Sequence, residues 1–172
     1  MLLGAARRSL ERDPAAADAA LERAQSAAEQ ALAELRAVAR GILPPALADR
    51  GLAGALTGLA ATCPVPCRVD VDVAVRCAAS VEATAWFVVA EALTNVARHS
   101  GATRATVAVR QVAGRLRVQV TGDGRGGAVE QAPGSSGLSG ARRRVEAHDG
   151  TFGLDSPADG PTVLTVELPC GS

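Results

Sequence analysis

Hydrophobic residues in the first quarter of the chain recur at an alternating spacing of three and four positions. This spacing places them on one narrow stripe of a helix, as in a coiled coil or an antiparallel bundle. The stripe consists of Leu21, Ala24, Ala28, Ala31, Leu35, Val38 and Ile42. Asp13-Pro14 is a helix-start signal, and no breaker follows before Gly41. The alanine-rich stripe favours a homodimer through residues 1–42; the alternative is a helix that covers the core of its own chain.

Further along the chain the hydrophobic period changes to two, which is the period of β-strands. Arg68–Val75 alternates strictly, with Val69, Val71, Val73 and Val75 on one face, and predicts a half-exposed strand. Two hairpins are predicted from the segments Ala105–Gln111 and Arg115–Thr121, then Thr151–Asp155 and Thr162–Leu168. The inward-facing residues of the first hairpin are expected to be Val107, Val109, Leu116, Val118 and Val120.

Three helical segments are interspersed with these strands. They are predicted at Gly51–Thr62, after a capping Ser80, and at Leu138–His148. The middle helix carries an apolar stripe of Trp86, Val89, Leu93 and Val96, which should pack on the sheet. This order of elements predicts an α+β two-layer sandwich with its helices on one face. The breakers between Gly41 and Gly51 mark the expected domain boundary.

Composition excludes several classes of function. The chain has 18 basic and 18 acidic residues, so no net charge attracts it to nucleic acid, and it has only 2% aromatic residues for stacking on bases. No apolar run is long enough to cross a membrane. The cysteines at 63, 67, 77 and 170 lack the spacing of a zinc or thioredoxin-like motif, so we expect reduced thiols. A cytoplasmic location follows for this chain, although a longer parent protein could carry a membrane anchor.

The most informative polar pattern lies on the middle helix. Glu91, Asn95, Arg98 and His99 are spaced at i, i+4, i+7 and i+8, which places all four on one face of an α-helix. The amide oxygen of Asn95 suits a hard cation such as Mg²⁺. A carboxylate such as that of Glu91 could act as a general base, and the two cationic side chains could neutralise phosphate charge. Taken alone, such a face is more often a solvated surface.

Two glycine-rich segments follow this helix and change that assessment. Gly122–Gly127 comes directly after a strand, and its glycines permit a close approach of main chain to a ligand. Gly134–Gly140 leads into a helix, where free N–H groups and the helix dipole favour phosphate. A polar helix face followed by two glycine segments predicts a site for a metal-bound polyphosphate.

In this order the motifs resemble the C-terminal part of a two-component sensor histidine kinase, of the subfamily whose partners are helix-turn-helix response regulators. The matching segments are Glu91–His99 (the N box), Gly122–Gly127 and Gly137–Arg144 (the two glycine boxes), Thr162–Pro169 at the end, and Glu34–Pro45 with Asp49–Leu52. The resemblance implies the Bergerat (GHKL) ATPase fold with ATP and Mg²⁺ as cofactors. It also implies partial dimerisation helices at 1–43, a linker at 44–51 and an ATPase domain at 52–172.

The resemblance also implies roles for individual residues. Asn95 would bind Mg²⁺, Glu91 would be the catalytic base, and Arg98 and His99 would lie near the phosphates. Gly124 and Gly126 would line the adenine pocket, with Asp123 beside them. Segment Ala128–Ser136 would be a short ATP lid. The residues that would hold the lid and the phosphates are Gly137, Leu138 and Gly140.

Two departures from the family pattern affect this interpretation. The first glycine box normally begins with an aspartate that accepts a hydrogen bond from the adenine amino group, and this chain has Gly122 there. We expect weaker ATP binding unless Asp123 or a water substitutes. The family's phosphoacceptor histidine lies on the first dimerisation helix. Here only His99 and His148 occur, and neither is in that position.

Three functional hypotheses remain open from the sequence. The first is a histidine-kinase catalytic domain that phosphorylates a histidine outside this chain. The second is a dimerisation or regulatory module with weak or no ATP binding, which Gly122 and the absent histidine favour. The third is a serine kinase of the anti-sigma-factor type, which shares the fold but has no dimerisation helix like the one predicted here.

Overall fold

The computed structural model describes residues 45–128 and 136–171. The predicted coiled-coil helix and its dimer interface lie outside the described residues. The helices are α1 (Pro45–Ala61), α2 (Ala79–Asn95), a π-helix (Val96–Ser100) and α3 (Ser136–Glu146). The strands are β1 (Cys67–Asp72), β2 (Ala105–Val112), β3 (Arg115–Gly122), β4 (Thr151–Asp155) and β5 (Thr162–Pro169). The prediction of an α+β fold is confirmed.

The five strands form one sheet in the order β1-β2-β3-β5-β4. β1 and β2 are parallel because α2 and the π-helix cross over between them, and the other neighbours are antiparallel. The two predicted hairpins are confirmed. In the first, Ala113 and Gly114 both have positive φ values, of 49° and 75°, which is the geometry of a tight turn that matches strand twist.

The core lies between the sheet and α2. The inward-facing residues predicted for the first hairpin are all buried, and Val88 and Val89 of α2 pack in the same core. Burying one such valine contributes about 1.5–3 kcal/mol. Val89, Leu93 and Val96 of the predicted stripe are buried, while Trp86 is only half-buried. The strand predicted over Arg68–Val75 ends at Asp72, so Val75 lies beyond β1 and is 68% exposed.

Residues 45–50, predicted to be part of a linker, are helical. A proline fits the first turn of a helix, where its missing N–H costs nothing. Gly51 then breaks the helical path with a φ of 66°, as the turn signal there predicted. The Arg76 guanidinium donates to the carbonyls of Leu47 and Ala48 and pairs with the buried carboxylate of Glu82. These hydrogen bonds provide partners for two carbonyls near the kink. They could not be predicted from local sequence, because Arg76 lies 28 and 29 positions from the residues it contacts.

The predicted cap at Ser80 is wrong. The N-cap lies two residues earlier, at Ala78, with no side-chain capping bond, and α2 begins at Ala79. The start of the helix is set by a tertiary contact instead, since the Ala78 N–H donates to the Cys170 carbonyl at 2.9 Å. Within the described ranges no helix is long and apolar enough to cross a membrane.

The expectation of four reduced thiols is wrong for two of them. Cys77 and Cys170 form a disulfide, while Cys63 and Cys67 are free. The end of β5 lies beside the segment that precedes α2, which brings two Cα atoms 93 residues apart in sequence to 4.6 Å. That distance is within the range a disulfide needs. Only the tertiary fold reveals this pairing.

Candidate functional site

The helical face that carries the predicted site residues changes its geometry at Asn95. Glu91 and Asn95 lie one turn apart on α2 and are both half-buried. From Val96 onward the backbone forms a π-helix, whose turn is wider than an α-turn. Arg98 and His99 lie on this π-turn and are exposed. The expectation of one straight α-helical face therefore holds only as far as Asn95.

Glu91 lies against the start of α3, which contains the second glycine segment. A Cβ atom built on Gly137 would come within 1.7 Å of the Glu91 Oε1 atom, so a side chain there would displace the end of the Glu91 side chain. Leu138 is buried and anchors the first turn of α3 in the core, whereas Gly140 faces open space. The structure thus brings the N box and the second glycine segment into contact. The carboxylate lies at a helix N-terminus, where backbone N–H groups favour negative charge.

The first glycine segment packs against the end of the π-turn. A Cβ on Gly124 would lie 2.3 Å from the carbonyl oxygen of Ser100. Arg125 donates from its backbone N–H to that same oxygen at 2.9 Å, and from its guanidinium to the His99 carbonyl at 3.2 Å. Ser100 also accepts a hydrogen bond from the Ala102 N–H. Sequence reasoning assigned no role to Ser100, although it directly follows the N box.

On its other side the glycine loop packs against the turn between β4 and β5. Gly126 has a φ of 65°, and a Cβ there would lie 1.8 Å from the Pro157 carbonyl oxygen. The Arg125 carbonyl accepts a hydrogen bond from the Asp159 N–H at 2.8 Å. Gly124 and Gly126 are therefore required for backbone packing, whatever ligand they line.

Asp123 is directed toward a different partner. Its carboxylate accepts hydrogen bonds from the N–H and hydroxyl of Thr103, both at 2.8 Å. It also accepts from the N–H of Arg104 at 2.9 Å and from the Arg104 side chain. Hydrogen bonds from the Arg104 backbone and the Thr103 side chain hold the pKa of Asp123 well below its usual range. Both oxygens of this carboxylate are engaged in hydrogen bonds. It is therefore not available to replace the aspartate that the family pattern has at position 122 and that would bind the adenine amino group.

Gly122, where the resemblance leads one to expect an aspartate, is buried at the end of β3. A Cβ there would lie 3.0 Å from Cγ2 of Val96 and 3.8 Å from Ala102. A side chain at this position would therefore point toward the beginning of the π-turn. It would also require Val96 to move by a few tenths of an ångström.

The residues around the glycine loop suit a magnesium-bound polyphosphate. Asn95 offers one neutral oxygen. Arg98 and His99 are exposed and follow it closely in sequence, and the exposed Arg125 of the glycine loop donates to the His99 carbonyl. Across residues 45–128 and 136–171 no cluster of three or more His, Cys, Asp or Glu side chains is placed to hold a metal ion. A Mg²⁺ at Asn95 would take its other ligands from phosphate and water, as this ion prefers.

Two families match the chain. Residues 81–172, more than half of the chain, match the family of histidine kinase-, DNA gyrase B- and HSP90-like ATPases. Residues 1–47 match the histidine kinase family HisKA_3. No curated protein matches at a significant level. The predicted resemblance to the C-terminal part of a sensor histidine kinase is confirmed.

Solved histidine kinase structures share this fold. The kinase domain of the Erythrobacter litoralis EL346 blue-light activated histidine kinase is 22% identical, with a TM-score of 0.52 over 71% of this chain and 58% of that chain. Acinetobacter baumannii AdeS is 14% identical, with a TM-score of 0.58 over 99% of this chain and 94% of that chain. Full-length ShkA in complex with AMPPNP is 17% identical, with a TM-score of 0.55 over 72% of this chain and 29% of that chain.

This chain thus spans little more than half the length of the Erythrobacter kinase domain. At these identities the likeness concerns the fold. The match over residues 81–172 covers the N box, both glycine segments and the last two strands, which are the parts that build the site. The chain belongs to the histidine kinase-, DNA gyrase B- and HSP90-like ATPase family.

Proposed function

We propose that this chain binds ATP–Mg²⁺ and acts as the catalytic part of a sensor histidine kinase. It would transfer the γ-phosphoryl group to a histidine supplied by another chain or by a longer form of the protein. Dimerisation through residues 1–42, pairing with a helix-turn-helix response regulator and a cytoplasmic location belong to the same proposal. The histidine kinase family match at residues 1–47 supports it over a serine kinase of the anti-sigma-factor type.

The observation that carries the proposal is that both glycine segments contact the helical stretch that holds the N box. The Glu91 side chain contacts the backbone at Gly137, and Gly124 approaches the carbonyl of Ser100. One glycine segment therefore contacts this stretch near its first polar residue, and the other contacts it just after its last. This arrangement offers N–H groups, a neutral oxygen and cations to one ligand. Phosphoryl transfer needs mainly such positioning and charge neutralisation.

In this proposal each residue has one role. Asn95 binds Mg²⁺, and Arg98 and His99 neutralise phosphate charge. Glu91 accepts the proton from the attacking imidazole as general base. Gly124, Gly126, Gly137 and Gly140 allow backbone to approach the nucleotide, and Leu138 fixes the start of α3. Asp123 acts indirectly, by holding the Thr103–Arg104 turn against the start of the glycine loop.

The proposal is tested by phosphoryl transfer in trans. The chain is mixed with γ-labelled ATP, Mg²⁺ and a fragment that carries a histidine-kinase phosphoacceptor helix, and acid-labile label on the fragment is measured. Glu91→Gln should reduce transfer by about 10²- to 10⁴-fold while the affinity for ATP stays within about threefold. Glu146→Gln, an exposed glutamate on α3, is the matched control. Undiminished transfer by the Glu91 variant would contradict the assignment of the base.

The second candidate is a regulatory module that binds ATP weakly or not at all. It is favoured by Gly122, which offers no carboxylate to the adenine amino group. It is also favoured by Asp123, whose carboxylate oxygens already accept hydrogen bonds from Thr103 and Arg104. The two candidates differ in thermal protection. A ligand at 100 times its Kd stabilises the folded state by about 2.7 kcal/mol. Unchanged unfolding in millimolar ATP–Mg²⁺ would favour the regulatory module.

A further inference from the structure

The turn between β4 and β5 holds both ends of the glycine loop. At the end of the loop, Gly127 donates its N–H to the Ser156 carbonyl at 3.2 Å, and Ala128 donates its N–H to the Ser156 hydroxyl at 3.0 Å. At the beginning of the loop, Gly122 pairs with Thr162 across strands β3 and β5. One turn therefore contacts the segment where it leaves the sheet and again five residues later.

The two contact points are joined by a direct hydrogen bond. The hydroxyls of Ser156 and Thr162 lie 2.6 Å apart, and both side chains are partly buried. Because the Ser156 hydroxyl both accepts from the Ala128 N–H and is hydrogen-bonded to the Thr162 hydroxyl, the three groups form a continuous chain of hydrogen bonds. We call this arrangement, formed by Ser156 and Thr162, the hydroxyl clasp.

The hydroxyl clasp lies where the end of the loop meets the turn. If the Ser156 hydroxyl is removed, the Ala128 N–H loses its acceptor, while Gly127 keeps the Ser156 carbonyl, so the end of the loop is held by one hydrogen bond fewer. Gly126 also packs against the Pro157 carbonyl, so the middle of the loop contacts the same turn. None of these groups has to touch the nucleotide to affect how it is bound.

We propose that the hydroxyl clasp positions the glycine loop for nucleotide binding, with Ser156 as a positioning residue. This inference rests on the proposed ATP site and adds the β4–β5 turn to it. The contrasting view is that the turn only stabilises the fold. The two views differ in what a substitution changes, which is either nucleotide affinity or the melting temperature.

The test measures the Kd for ATP–Mg²⁺ and the melting temperature of the full chain and its variants. Thr162→Val, which removes one hydrogen bond, should weaken binding by about three- to tenfold, and Ser156→Ala, which also removes the acceptor of Ala128, should weaken it at least as much. The double variant should bind no worse than Ser156→Ala, because that substitution already removes the bond to Thr162. Ser156→Thr keeps the hydroxyl and should restore affinity to within about twofold. Thr106→Val, an exposed threonine on β2, is the matched control and should bind as wild type.

Amide hydrogen exchange without nucleotide supplies a second readout. Ser156→Ala should accelerate exchange at Ala128 and leave Val118 in the sheet unchanged. Wild-type affinity in the Ser156→Ala variant would overturn the inference, as would a lower melting temperature with no change in affinity. If the wild-type chain itself shows no ATP binding, the proposed function fails, and the role of the clasp in nucleotide binding fails with it.

Discussion

The carboxylate of Glu91 and the backbone of Gly137 are in direct contact, so close that a methyl group at position 137 would overlap the Glu91 Oε1 atom. The two residues lie 46 positions apart, on different helices. This contact is the point where the N box and the second glycine segment meet.

Gly137→Ala should therefore displace the Glu91 side chain. We expect phosphoryl transfer to fall by about 10²-fold, within the range attributed to a mispositioned general base, while ATP affinity changes less. Gly58→Ala on α1 is the matched control, since a Cβ there meets open space and Gly58 has no role in the proposed site. Alanine is the better helix former by about 1 kcal/mol, so the control should be at least as stable as wild type. Equal transfer by both variants would show that the contact with Glu91 has no role in catalysis.

Replacing Gly122 by aspartate tests the effect of the missing carboxylate. Because a Cβ at 122 would crowd Val96, the substitution is made together with Val96→Ala. A hydrogen bond from the adenine amino group to a carboxylate is worth about 1.5–3 kcal/mol, so the affinity for ATP should rise by about ten- to a hundredfold. Val96→Ala with Gly122→Ala controls for packing. An unchanged Kd for ATP would mean that residue 122 does not face the adenine.

The disulfide between Cys77 and Cys170 closes a loop of 93 residues around most of the ATPase domain. Its removal should lower the free energy of unfolding by about 2–4 kcal/mol, largely by freeing the unfolded chain. The measurement compares denaturant unfolding of the wild type, with and without reductant, and of the Cys77→Ala/Cys170→Ala variant. Substituting the two free cysteines, Cys63 and Cys67, provides the control. A reductant effect that persists in the variant without Cys77 and Cys170 would argue against this bond as its source.

Asp123 should make the stability of the domain depend on acid pH. Its pKa in the folded state is lowered by its hydrogen bonds, so its contribution is fully present above the unfolded pKa of about 3.9. The contribution is lost as the pH falls through the folded pKa. The difference in melting temperature between wild type and Asp123→Asn should thus be largest near neutral pH and shrink below about pH 4. Asp49→Asn, at an exposed position, is the control, and a difference independent of pH would refute this account.

Local patterns were sufficient to predict the strands of the two hairpins and most of the stripe of α2. Strand alternation and hairpin turns depend on neighbours in sequence, so the inward residues from Val107 to Val120 were identified correctly. The same holds for Val89 and Leu93. The fold class followed from the order of these elements.

Contacts between distant segments account for what the sequence did not reveal. The end of the π-turn is held by Arg125, two elements away, whose N–H donates to the Ser100 carbonyl and whose guanidinium donates to the His99 carbonyl. The engagement of Asp123 by Thr103 and the Cys77–Cys170 disulfide likewise arise only when separate loops meet. The start of α1 also involves a distant residue, because the Arg76 guanidinium donates to the carbonyls of Leu47 and Ala48.

Titration calorimetry of the full chain with ATP, in the presence and absence of Mg²⁺, tests the central claim most directly. The proposed site predicts saturable binding that strengthens with Mg²⁺, and an Asn95→Ala variant that loses the Mg²⁺ dependence while remaining folded. No heat of binding with either form of ATP, or the same Mg²⁺ dependence without Asn95, would contradict it.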